Sequence, residues 1–372
     1  MNAAAAGLIA LMVLQTLVLV LLIRLADLNE NEPLVVVLAL CAWGASGGLM
    51  IAIVLDALIV DRLSDRVDAV FGPTLSAPPV EEAAKGLALT VVFFASILLG
   101  RRRGWYEFQG VTDGLVYGAA VGLGFALGEN VYYLIELSRM VGVERAADIV
   151  SDRVGILGLG ALGHALYTAV FGAGLGLATW VAGRWRKVAL ATGGFLLATF
   201  LHALHNGGTE ALLVVRHGWE DVAEWRATGG VPQRVATRLD DDYTFLAGVI
   251  SNIETGFVTA CLVAGAAWLW AERRALRGGL AAEQAAGVVT AEEAAAIPSF
   301  RRRWARYLRL LSDRDVAAYR RARRADGAIV ELGLRRWRSR ARDTPGDLEK
   351  CRARVARTRE AGGGCAAGDV RA

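Results

Sequence analysis

The sequence predicts an all-α polytopic membrane protein, a bundle of about seven transmembrane helices followed by a cytoplasmic helical tail. Three observations carry that prediction. Of the 372 residues 55% are hydrophobic and mean hydropathy is +0.40, too apolar for a soluble chain of this length. Apolar runs long enough to cross about 30 Å of hydrocarbon recur ahead of residue 272. Charge is unevenly divided: residues 272–372 carry 24 Lys and Arg against 13 Asp and Glu, net +11, while the rest of the chain is net −7. A basic segment after the last span belongs on the cytoplasmic side, close to anionic lipid head groups.

The first span covers residues 4–23; its flank, Met1-Asn2-Ala3, lacks the positive charges of a signal peptide, so the span is expected to be retained. The second runs from Leu34 to Leu55 and leads into a polar connector with Asp56, Asp61, Asp65 and Asp68. The third runs from about Val80 to Leu99, with Pro78-Pro79 at the expected helix start, and stops at Arg101-Arg102-Arg103. The fourth, Thr112 to about Leu134, opens on Thr112-Asp113, either able to cap it, and presents Gly114, Gly118 and Gly122 on one face, continued by Phe125 and Glu129. The fifth, about Val154 to Val181, repeats the device with Gly160, His164, Thr168, Gly172 and Gly176 and ends before Arg184, Arg186 and Lys187. The sixth, Val188 to about Val215, carries His202, His205 and Asn206. An acidic connector with Asp240, Asp241 and Asp242 precedes the seventh, Thr244 to Trp270, which ends at Glu272-Arg273-Arg274. Basic loops after the third, fifth and seventh spans set the N-terminus outside and the C-terminus in the cytoplasm. The domain boundary is expected at 275/276. Residues 276–372 read as short amphipathic helices on the membrane surface, with the last dozen residues disordered. The four cysteines have no spacing suited to a disulfide framework or zinc knuckle, and no nucleic-acid recognition fold is visible.

The costly feature is Glu81-Glu82-Ala83-Ala84-Lys85, three charges where hydrocarbon should begin. An ionisable residue within a span costs about 2.5 kcal/mol or more, which makes such a cluster a functional site by default. Lys85 can neutralise one carboxylate at a time. The i,i+4 spacing favours Glu81 as its partner and leaves Glu82 as the free base. With a rise of 1.5 Å per residue, Glu129 stands about 26 Å up a helix that starts inside, His202 about 21 Å and Asn206 about 27 Å. Glu81 and Glu82 lie in the first turn of a helix that starts outside, and His164 is expected near the midplane, just below the others. The costly side chains therefore gather in the outer third of the membrane. Set against this are plainer roles: a snorkelling Glu81–Lys85 pair, hydrogen-bond glue between helices for His164, His202 and Asn206, packing for His205, and capping for Asp113.

At these residues the chain resembles the PrsW family of intramembrane proteases, distant relatives of the CAAX prenyl endopeptidases in the Abi superfamily. The resemblance lies in Glu81-Glu82-x-x-Lys85, Asp113-Gly114 with Gly124-Phe125-Ala126-x-x-Glu129-Asn130, His164-Ala165-x-x-Thr168, and Leu201-His202-Ala203-x-x-Asn206, over residues 78–215. It implies peptide-bond hydrolysis in a bacterial plasma membrane by a glutamate general base, with no cofactor. The substrate implied is a membrane-anchored protein such as an anti-sigma factor, cut near its extracytoplasmic face in a site-1-type cleavage. It further implies a proton-relay role for Glu129, oxyanion donation by His202 and Asn206, and water or substrate positioning by His164. In the prenyl endopeptidases the second motif ends in histidine, where this chain has Glu129. The alternatives are a metal-dependent protease, since Glu82, Glu129, His164 and His202 are competent zinc ligands, and a proton-coupled transporter or receptor built on a buried ion-pair relay.

Overall fold

A computed structural model describes residues 3–26, 32–63, 72–103, 108, 110–155, 162–219, 221–222, 236–339 and 345–363. Among them there is no strand. Six helices are long and apolar enough to cross a membrane, and Leu162–Ala178 is a shorter apolar helix of 17 residues. The chain is an all-α polytopic bundle, the architecture that satisfies backbone polar groups within each segment where water is absent.

The membrane unit comprises α1 (Ala3–Ala26), α2 (Leu34–Trp43), a π turn (Gly44–Gly48), α3 (Leu49–Leu63), α4 (Gly72–Arg103), α5 (Val111–Val141), α6 (Val143–Val154), α7 (Leu162–Ala178), α8 (Arg184–His217) and the first part of α9 (Ala236–Ala285). Helix α5 is its axis, buried along almost its whole length from Val111 to Leu134 and packed on α1, α2, α4, α6 and α7. Small residues permit this. A Cβ on Gly114, Gly118 or Gly122 would overlap the backbone of Gly172, Thr168 or His164 of α7, and a Cβ on Gly124 would overlap the carbonyl of Cys41 in α2. The two glycine-bearing faces read from the sequence thus meet each other, and their contact carries His164 and Thr168 against α5. The π turn lies against the same helix, where a Cβ on Gly44 would overlap Val121. Beside it the Trp43 indole donates to the Ala84 carbonyl at 3.2 Å, tying α2 to the turn of α4 that bears the acidic pair. At the other end of α5, Asp113 accepts from the Gly110 amide at 3.0 Å, the capping role its position suggested.

Several expectations need correction. Helix α4 starts at Gly72, so Pro78 and Pro79 lie inside it rather than at its head. Proline's fixed φ suits a helix; what it removes is the donor to the carbonyl four residues earlier, so this part of α4 lacks two intrahelical bonds just ahead of Glu81. Of the expected fifth span, about Val154 to Val181, the structure describes α7 over Leu162–Ala178; a separate helix not expected from the sequence, α6, precedes it and ends at Val154 before Gly155, whose φ is +70°, and residues 156–161, with Gly160, lie outside the described residues. At about 1.5 Å per residue the described part of α7 is about 25 Å long, and His164 is its third residue. Helix α9 runs unbroken for 50 residues from Ala236, so Asp240, Asp241 and Asp242 sit within it, and Arg216 and His217 pair with Asp242 at 2.9 and 2.6 Å.

The C-terminal unit begins at Val263 within α9 and adds α10 (Ala291–Ala296), α11 (Phe300–Ser312), α12 (Val316–Ser339), α13 (Pro345–Thr358) and a π turn (Arg359–Gly363). The 275/276 boundary expected from charge falls inside the continuous α9. Nor are these helices a set of separate surface segments. Leu276, Leu280, Ile297, Ile329, Leu332 and Leu334 are buried together in a core of their own. Its carboxylates are paired: Glu283 accepts from Arg352 at 2.8 and 3.2 Å, and Glu293 from Arg359 at 2.5 Å. Asp326 accepts from Arg306 and, at 2.7 Å, from the Tyr307 hydroxyl. Of the last dozen residues, 364–372 lie outside the described residues.

Candidate active site

Helix α4 delivers Glu81, Glu82 and Lys85, α5 delivers Glu129, α7 delivers His164 and Thr168, and α8 delivers His202 and Asn206. The structure brings all of these but Asn206 into one cluster; Asn206 follows His202 by one turn of α8. Lys85, fully buried, donates to Glu82 Oε1 at 2.7 Å and lies 3.1 Å from His164 Nδ1 and 4.2 Å above the Phe125 ring. Glu82, also fully buried, accepts in addition from His202 Nδ1 at 3.0 Å and from the Thr168 hydroxyl at 3.1 Å. Its partner is therefore the reverse of that inferred from helical spacing: Glu81 stands 3.5 Å from Lys85 and 3.7 Å from His202 Nε2, and keeps 13% of its side chain exposed. The i,i+4 preference is worth only about 0.2–0.5 kcal/mol, and the donors from α7 and α8 outweigh it.

Hydrogen-bond roles follow from chemistry. An ammonium has no lone pair, so His164 Nδ1 accepts from Lys85 and the imidazole proton lies on Nε2, which donates to Glu129 Oε2 at 3.0 Å. A carboxylate only accepts, so His202 Nδ1 donates to Glu82 and its Nε2 faces Glu81. Asn206 is half-buried, and its amide has no protein partner among the described residues. His205 does not join the cluster; its side chain is 57% exposed and bonds Glu254 of α9 at 2.9 Å. Asp113 remains at the far end of α5.

Three participants were not singled out from the sequence. Thr168, a member of the small-residue row and of the His164-Ala165-x-x-Thr168 motif with no role assigned to it, bonds Glu82. Tyr167 stacks on the His202 ring, with centroids 5.1 Å apart and planes within 20°. Arg153, on α6, donates to Glu129 at 2.6 Å and to Asn130 at 3.0 Å. The signal for α6 was present: Ala146, Val150 and Val154 recur every fourth residue between Gly142 and Gly155, an amphipathic stripe too short to span.

Glu81, His164 and His202 each offer one ligand atom, all within 4.8 Å of one another, and two imidazoles with a carboxylate are a zinc-hydrolase donor set. As arranged they do not fit a metal. His202 is suitably held, with its far nitrogen on a carboxylate. Both nitrogens of His164, however, are already engaged by Lys85 and Glu129, and the Lys85 ammonium stands 3.1 Å from one of them.

Comparison with known proteins names a family whose description, unlike this arrangement, includes a metal. A family model described as "PrsW family intramembrane metalloprotease" matches residues 32–220, which hold every residue of the cluster. "Protease PrsW" of Geobacillus kaustophilus (strain HTA426) is 29% identical over 199 residues, covering 52% of this chain and 74% of that protein. No solved structure matches. The match over half the chain, joined to a multi-pass helical architecture, shows that the chain belongs to the PrsW family of intramembrane proteases and is a membrane-embedded peptidase.

Proposed function

We propose that the protein is a glutamic intramembrane endopeptidase in which Glu81, not Glu82, is the general base. The observation that carries this is the asymmetry of the two carboxylates. Glu82 is saturated by Lys85, His202 and Thr168 and serves as a fixed counter-charge. Among the described residues Glu81 has no donor closer than 3.5 Å, and it retains exposure, so it has lone pairs to offer a water. Glu81 takes one proton as the water oxygen bonds to the scissile carbonyl carbon. When the tetrahedral intermediate collapses and the C–N bond breaks, Glu81 returns that proton to the leaving amine. The Asn206 amide can donate to the oxyanion without changing state, and one such donor contributes about 3 kcal/mol. His202 can add a second donor only as imidazolium, with Glu82 as its counter-ion. The substrate proposed is a single-span, membrane-anchored protein of the anti-sigma-factor kind, cut near its extracytoplasmic face, the end of the bundle at which positive-inside topology puts the cluster.

The ligand set Glu81, His164 and His202 favours a second, metal-dependent reading, which requires His164 to give up one of its two partners. One experiment separates the two: purified protein in detergent, a single-span substrate, and chelator added or omitted. Glu81→Gln is expected to accumulate normally and lose at least about 100-fold in cleavage, the usual scale of general-base loss, while the wild type survives chelator. Retention of more than about a tenth of wild-type cleavage by Glu81→Gln overturns the base assignment. Loss of wild-type cleavage to chelator, restored by zinc, establishes the metal reading instead.

A further inference from the structure

We propose that Arg153 is a positioning residue: by gripping Glu129 it holds the His164 imidazole in line with Lys85, and so makes the cluster depend on the placement of α6. The guanidinium is held at three points on successive turns of α5. Nη2 donates to Glu129 Oε2 at 2.6 Å, Nε donates to Asn130 Oδ1 at 3.0 Å, and the plane lies 4.5 Å from the centroid of the Tyr133 ring. The oxygen it grips is the one that accepts from His164 Nε2. Arg153, Glu129, His164, Lys85 and Glu82 therefore form one continuous chain of polar contacts, and Arg153 is its outer end, with 45% of its side chain exposed.

A half-exposed ion pair ordinarily contributes little. Here the partner is buried, with only 12% of the Glu129 side chain exposed, so loss of the cation strands a carboxylate against a neutral imidazole. Among the described residues Arg153 is the one side chain of α6 hydrogen-bonded to α5. Its helix is bounded by Gly142 and Gly155, with φ of +84° and +70°, and seated on Leu134, Ala5 and Met12 through Ala146, Val150 and Val154. A shift of α6 would thus be felt at His164 through this guanidinium.

The test is a double-mutant cycle on the purified protein with the single-span substrate. Arg153→Gln is expected to lower kcat about tenfold with KM within about twofold, the scale on which contacting residues couple. In a Glu129→Gln background the same change should move kcat by less than about twofold. Arg153→Lys keeps the charge and loses the forked grip, so it should fall between wild type and Arg153→Gln. If Arg153→Gln does not accumulate, Arg153→Lys carries the cycle alone. Equal losses in both backgrounds, or a rise in KM with kcat unchanged, would overturn the proposal in favour of a substrate contact or a purely structural pair. The inference rests on the glutamate-base reading only in taking His164 as part of the machinery. An active Glu81→Gln sinks that reading, whereas additive losses beside an inactive Glu81→Gln sink only the role of Arg153.

Discussion

In the membrane unit large apolar side chains face outward, Leu14, Phe94, Phe200 and Leu262 each more than half exposed, while glycines, carboxylates and a lysine lie inside. In the C-terminal unit Leu276, Leu280, Leu332 and Leu334 are fully buried in the core, and exposed Arg301, Arg302 and Arg309 face outward. The inversion has one cause. Lipid is as apolar as leucine, so burying a side chain in the membrane unit gains nothing from solvent, and cohesion must come from close backbone approach and polar contacts. In water each Å² of buried apolar surface contributes about 25 cal/mol, and an amphipathic stripe is enough. Each unit carries buried carboxylates, but in the C-terminal unit they meet arginines and a tyrosine, whereas those of the membrane cluster converge on one lysine and two histidines, with a single arginine, Arg153, at the outer end.

That contrast can be broken most severely at the glycine-lined contact. Gly118→Leu would force α5 from α7 and separate Glu129 and Glu82 from their α7 partners; cleavage in the purified assay should vanish, and retained activity would show that the two helices do not need this approach. Next in size is Lys85→Met, which leaves the fully buried Glu82 charge without its cation and should cost about 3–5 kcal/mol, seen as a lower thermal midpoint in detergent. An unchanged midpoint would mean that the pair contributes no stability.

The C-terminal unit offers a comparison in pH. Burial, with a smaller contribution from Glu331, raises the Cys351 thiol from 9.0 to about 11. At pH 8 its thiolate is therefore about 100-fold scarcer than that of an ordinary cysteine. In a variant keeping only this cysteine, maleimide labelling should be slower by about that factor and accelerate as pH rises toward 11. The sign for stability follows: the contribution of the protonated thiol is whole below about 9 and is lost between 9 and 11. Rapid labelling at pH 8 would show the α13 face open. The smallest effect is expected at Gly327 of α12, where an added Cβ meets nothing within 4 Å; Gly327→Ala should raise stability by about 0.5–1 kcal/mol, against the destruction expected at Gly118.

What was legible in the sequence was whatever follows from expense or from spacing. Charges in hydrocarbon are costly wherever they point, so Glu81, Glu82, Lys85 and Glu129 could be singled out without knowing the fold. Small residues at four-residue spacing suit close approach, so the faces of α5 and α7 were readable as contact faces, though not as each other's partner. What escaped depended on a third element. Whether Lys85 takes Glu81 or Glu82 is decided by donors from α7 and α8, which helical geometry along α4 does not contain. Pro78 and Pro79 look like a helix start because the local cost of an interior proline is visible while the packing that offsets it is not. The tail's arginines suggested a lipid-facing surface, since the carboxylates that hold them, Glu283, Glu293 and Asp326, lie 20 to 69 residues away along the chain.

The contact between α5 and α7 repeats every four residues on both helices: Gly110 meets Gly176, Gly114 meets Gly172, Gly118 meets Thr168 and Gly122 meets His164. A ladder with that repeat has no unique register. Sliding one helix by a turn, about 5.4 Å, would set Gly114 opposite Gly176, Gly118 opposite Gly172 and Gly122 opposite Thr168, three contacts that small residues accommodate nearly as well. The slip is forbidden at one end only, where His164 must reach both Lys85 and Glu129 and Thr168 must reach Glu82. These residues thus act as a keyway for assembly, and a chain that had threaded its helices one turn out of step would be well packed yet carry no active site.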